Sequence, residues 1–148
     1  MRGLFALYVL LFSAAVQADP CSGGDRSLDA ARREALAPVV SRDVTLLLWP
    51  HFKAHFDPGP QRVLSSLRMR GWFVLYVDTG KTDDVALFYA GDPARGGRYA
   101  GFWGGSAPTD EGPQLRRELL RDIPGIPPAL AGCFAWRVTQ HPEQYPWP

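Results

Sequence analysis

Two cysteines stand in the sequence, Cys21 and Cys133, near opposite ends of a 148-residue chain. If they are oxidised, only one pairing exists, so the bridge joins the first stretch of the chain to the last. A closed loop of this length stabilises a fold by about 4–5 kcal/mol through loss of unfolded-state entropy. Neither cysteine has a C-x-x-C neighbour. The pair therefore reads as a structural staple, not a redox centre, provided the compartment is oxidising.

The N-terminus supplies that condition. "MRGLFALYVLLFSAAVQADPC" has one cation at Arg2, an apolar stretch from Leu4 to Phe12, and small residues ending in Ala18. This is the pattern of a cleaved secretory leader over residues 1–18, with the cut after Ala18. The apolar run is shorter than the ~20 residues a membrane span needs. Asp19 and Pro20 before Cys21 do not fit a lipoprotein signal. The expected mature chain, residues 19–148, is one domain in the periplasm or outside the cell, with no membrane span after cleavage. It carries the 16 basic side chains less Arg2, against 15 acidic ones. A balanced charge gives no long-range attraction to nucleic acid or anionic lipid.

Patterning predicts an α+β domain: an antiparallel β-meander of four to five strands, an N-terminal helix, and a helix before the last strand. "SLDAARREALAP" reads as the first helix, capped by Ser27 and stopped or kinked by Pro38. Residues 44–56 fit a short strand or a second short helix equally, because Pro50 interrupts the run. "DPGP" breaks the chain. "RVLSSLRM", "FVLYV", "VALFYA" and "RYAGFWGG" then read as strands joined by turns rich in Gly, Asp and Pro, although "QRVLSSLRM" also has a helical face through Val63, Leu64 and Leu67. Helices are expected on one side of this sheet and around its ends. "PQLRRELLRD" is a helix with Pro113 in its first turn. "IPPALAGC" reads as a turn or helix, and "FAWRVTQ" alternates like a last strand with one buried face. The tail 141–148, with three prolines, reads as extended.

The motifs that could carry chemistry are few. Asp78-Thr79-Gly80 follows an apolar strand, as in an aspartic protease half-site. It occurs once, Lys81 follows the glycine, and Asp83 and Asp84 come next. A proton-sharing carboxylate pair is not met, and the stretch reads as a turn. His51 and His55 lie four apart, on one face if helical, and could contribute to a zinc site. No Glu follows His51 in the zincin pattern, and further ligands have no spacing to name them. No nucleophile elbow or phosphate loop is present. No catalytic residue, cofactor or metal is expected. Tyr99, Phe102 and Trp103 sit among glycines in "GRYAGFWGGSAP", where exposed aromatics serve as binding anchors. Strict alternation puts Tyr99 and Trp103 on one face and Phe102 on the other.

From Cys21 to Thr139 the chain resembles a group of small exported bacterial proteins of undefined function. The resemblance rests on "YVDTG" (76–80), "FYAGDP" (88–93) and "IPGIPPALAGCFAWRVT" (123–139). The chain departs from that group at "TLLLWPHFKAHFDPGP", which contains both His51 and His55. In size, export and a single bridge it is also similar to periplasmic immunity proteins that block cell-wall-degrading toxins. The exported family carries no activity over; export, balanced charge, small size and the absence of a catalytic constellation lead to the expectation of a non-enzymatic binder, inhibitor- or immunity-like, whose partner is an exported or cell-wall-directed protein. The alternative of different class is a small secreted hydrolase or metal-binding protein using His51 and His55.

Overall fold

In the computed structural model the described residues are 19–53, 59 and 62–140; residues 1–18, expected as a cleaved leader, His55 and residues 141–148 lie outside them. The chain forms helix α1 (Ala30–Phe52), strands β1 (Val63–Met69), β2 (Trp72–Val77), β3 (Val85–Ala90) and β4 (Arg98–Gly104), then helices α2 (Gly112–Asp122) and α3 (Pro128–Gln140). The strands form one antiparallel sheet in sequence order, the expected meander. The β1–β2 turn is Arg70-Gly71 with both φ positive, 54° and 78°. That is the two-residue hairpin geometry whose twist matches the flanking strands, and Gly71 meets it without a Cβ penalty.

Helices cover both faces of the sheet, not one. Phe73, Leu75, Val77, Val85, Leu87 and Tyr89 pack under α1, while Val74, Tyr76, Ala86 and Phe88 pack under α2 and α3. Consecutive residues of β2 and β3 therefore point into two different cores. A strand buried on both faces is apolar throughout, which is why "FVLYV" and "VALFYA" lack a polar alternation.

Helix α1 runs straight through Pro38 and Pro50 for 23 residues. The expected stop at Pro38 is overturned by packing. Leu36, Val40, Val44 and Leu48 form a stripe at four-residue spacing that is buried against the sheet. Burying four such side chains is worth roughly 6–12 kcal/mol, against about 3 kcal/mol for one interior proline. The cap is also displaced from Ser27: Asp29 accepts the Arg32 amide at 2.7 Å, and the Ser27 amide instead donates to Asp25 at 2.9 Å.

The expected last strand "FAWRVTQ" is part of α3, so α2 is followed by a helix and the sheet stops at four strands. Its alternation of Phe134, Trp136 and Val138 is too short to separate the two periods. Extended back to Leu130, the buried set Leu130, Ala131, Phe134, Ala135 and Val138 has helical spacing, and Pro128 opens the helix. Phe134 seats α3 on the sheet by edge-on contacts with Phe88 (5.1 Å) and Trp103 (5.5 Å). The bridge Cys21–Cys133 forms as read, with Cα atoms 4.7 Å apart. It ties the segment before α1 to the middle of α3, across the sheet edge at β1, where Asp25 pairs with Arg68 through two backbone hydrogen bonds.

Candidate functional site

The last two turns of α1 carry "LLLWPHF", of which only part is buried. Leu48 turns inward and is buried, whereas Leu46 (67% exposed), Trp49 (41%) and Phe52 (45%) stand in solvent. Leu47 and His51 point to the flank, where they line a groove of about 260 Å³ with Val85, Phe102, Gly104 and Asp83. Phe102 is itself 49% exposed. Four of the five large apolar side chains exposed among the described residues thus belong to this end of α1 or to the groove beside it. Their chemistry is that of an association surface: large, apolar and weakly charged.

The three aromatics of β4 do not share one fate. Register across β3–β4 shifts between Phe88 and Tyr89, so Ala100 is an extra residue in β4. That bulge reverses the alternation. Tyr99 and Phe102 both face α1, opposite Tyr89 and Leu87, while Trp103 faces α3 opposite Ala86. Tyr99 is half-buried edge-on to Tyr89 at 5.8 Å, and Trp103 is half-buried against Phe134. Phe102 alone of the three is left open. Gly101 lies under α2's end, where a Cβ would stand 3.2 Å from Cγ1 of Ile123.

Asp78 is a turn residue. One carboxylate oxygen accepts the Gly80 amide at 2.7 Å and the other pairs with Arg62 at 2.9 Å. The Thr79 hydroxyl accepts the Thr82 amide at 3.0 Å and closes the loop. Asp84 stands behind it with its carboxyl held above the ordinary range, first by burial and then by the charge of Asp78. His51 is exposed on α1 beside Phe102. Among the described residues no group of three or more His, Cys, Asp or Glu could hold a metal ion, and no helix is long and apolar enough to cross a membrane.

One polar feature escaped the sequence reading. Asp43 is buried between α1 and the sheet, accepting the Tyr89 hydroxyl at 2.9 Å and Arg42 Nε at 2.7 Å. Burial and this neighbouring carboxylate drive the Tyr89 hydroxyl far above its usual range, and burial pushes Tyr99 up to about 12. An acid at position 43 falls on the stripe that joins Val40 to Leu47. It is visible as inward-facing only once the helix is carried through Pro38.

A second groove, of about 540 Å³, lies at the other end of α1 and mixes charges: Arg32, Arg68 and Arg95 against Asp25, Asp29 and Asp92. Its charges are mostly spent internally. Arg32 binds Asp92 at 2.6 Å and lies over the Phe73 ring, and Arg68 binds Asp25 at 2.8 Å. No protein family matches this chain, and no characterised protein or solved structure is similar to it. The apolar end of α1 is accordingly the candidate surface, on geometry alone.

Proposed function

We propose that this chain is an exported, non-enzymatic binding protein that engages another exported or cell-wall-directed protein, in the manner of an inhibitor or immunity factor. The observation that carries the reading is the exposure of Leu46, Trp49 and Phe52 on consecutive turns of α1, with Phe102 alongside. Trp and other large apolar side chains concentrate binding energy when a partner seals them from water. Support also comes from the leader-like N-terminus and from the Cys21–Cys133 bridge, which belongs to oxidising compartments. A near-zero charge makes the association insensitive to salt, since little electrostatic steering is available.

The test compares wild type with Trp49→Ala and Leu46→Asp as baits in an extract of exported proteins, followed by reconstitution with the purified prey. Both positions are exposed, so the fold survives either change. A stoichiometric complex that weakens about 30-fold or more in the variants, the loss of a ~2 kcal/mol anchor, supports the reading. A complex retained unchanged by both variants, or no specific complex with wild type, overturns it.

A further inference from the structure

We infer that β4 is a pairing edge for a second copy of this chain, joining two four-stranded sheets antiparallel through Phe102. The sheet has two edges, and the fold treats them differently. At β1 the Asp25–Arg68 bridge occupies the backbone, the Ser66 hydroxyl bonds the Ser27 carbonyl, and the Arg33 guanidinium caps the Val63 carbonyl. At β4 no backbone hydrogen bond to another described segment reaches the outer edge. An open row of donors and acceptors recruits an extended strand unless a charge, Pro or a bulge blunts it; in β4 Arg98 and the Ala100 bulge both stand at the first end, and "GFWG" (101–104) carries none of these. The Ala100 bulge lies toward one end of β4 and leaves Gly101–Gly104 in regular register with Phe88–Val85.

The occupant follows from symmetry and charge. A two-fold axis normal to the sheet sets each copy's α1 on the same side, so residues opposite one another must face the same layer. An axis through Phe102 meets that condition. Phe102 faces Phe102 of its mate on the α1 side, and Gly101 faces Trp103 on the α3 side. The exposed Phe102 ring is then covered by its own copy. The same arrangement carries Arg98 of one copy to the Gly104–Gly105 end of the other, the end where Asp83 and Asp84 lie. Arg98 is exposed and pairs with no carboxylate within its own chain among the described residues. Asp84 has acidic neighbours in Asp78 and Asp83, and a partner's arginine would offset them. With 16 basic and 15 acidic side chains in the sequence, two copies repel each other little.

Sedimentation of the purified full chain tests this, together with a cross-link. Opposed residues of an antiparallel pair have Cα atoms about 4.5–5.5 Å apart, inside the roughly 4.4–6.8 Å that a disulfide spans. Expected are a concentration-dependent dimer and rapid oxidation of Phe102→Cys to a linked dimer, with Arg117→Cys on α2 remaining unlinked. Phe102→Lys should weaken association at least tenfold while leaving the melting curve of the monomer unchanged, and Trp49→Ala should leave the dimer intact. A wild-type monomer at every concentration overturns the inference. So does a dimer that survives Phe102→Lys, or one that Trp49→Ala dissolves, which would place the contact on α1 instead. No specific heterologous complex with wild type in the preceding experiment, with the dimer retained, leaves this inference standing and the function reading refuted.

Discussion

Tyr89 is completely buried and its hydroxyl donates to the carboxylate of Asp43, its one hydrogen-bond partner among the described residues and itself only 7% exposed. Replacing Tyr89 by Phe removes one hydrogen bond to a charged acceptor, worth about 1.5–3 kcal/mol. Asp43 keeps Arg42 Nε at 2.7 Å, but Arg42 is largely in solvent and offsets little of the loss. The expected cost of Tyr89→Phe is therefore about 2 kcal/mol, a drop in Tm of roughly 7 °C for a domain of this size. Asp43→Leu alone strands the Tyr89 hydroxyl and costs about 1–3 kcal/mol before any gain from the added apolar side chain. The double variant removes donor and acceptor together and should fall within about 1 kcal/mol of wild type. Urea denaturation with a common m-value across the four proteins measures the cycle. Additive losses, or a Tyr89→Phe cost below about 0.5 kcal/mol, would show that the buried pair is not coupled as drawn.

The same network sets an alkaline limit. Tyr89 and Tyr99 are held neutral above the ordinary tyrosine range, Tyr99 up to about 12, so their contribution is complete below pH 10 and lost as pH rises toward those values. Denaturant midpoints should fall between pH 10 and 12, with phenolate absorbance from these two rings appearing only on unfolding; early phenolate signal from the folded protein refutes this. Asp84 is raised by burial and by Asp78, so its charge opposes folding at neutral pH. Asp84→Asn should raise Tm at pH 7 and leave it unchanged near pH 3, whereas a loss at pH 7 would contradict that sign. Reducing Cys21–Cys133 should lower stability by about 4–5 kcal/mol in denaturant titrations with and without thiol, and a change under about 1 kcal/mol would show that the reduced chain is already restrained. Gly101→Ala places a methyl 3.2 Å from Cγ1 of Ile123 at a backbone φ of 159° that side chains rarely adopt, and should cost about 1–3 kcal/mol in urea titrations; an unchanged midpoint would refute this.

The meander and the bridge were legible because each rests on local or countable features: apolar runs split by Arg-Gly, Asp-Pro and Gly-Gly turns, and two cysteines with one possible pairing. The helices were harder. Prolines 38 and 50 signal breaks, and the burial that overrides them depends on a sheet that comes later in the chain. "FAWRVTQ" matched a strand for six residues, and Leu130 and Ala131, which settle its period, stood across a glycine. The surface was legible only in part. Phe102 stands exposed among its glycines, but Tyr99 and Trp103 face opposite layers because of a one-residue bulge that leaves no mark in composition. Leu46 and Trp49 drew no attention, since exposure on a helix shows only when its buried stripe is known.

Cys133 lies in α3, and its partner Cys21 precedes α1. The covalent clasp can close only after residues 22–132 have left the ribosome, when the strands from Val63 to Gly104 have long been available to pair. A chain cut short anywhere before α3 keeps an unmatched thiol at Cys21. Oxidation state thus separates, by chemistry alone, chains that have reached α3 from those that have not.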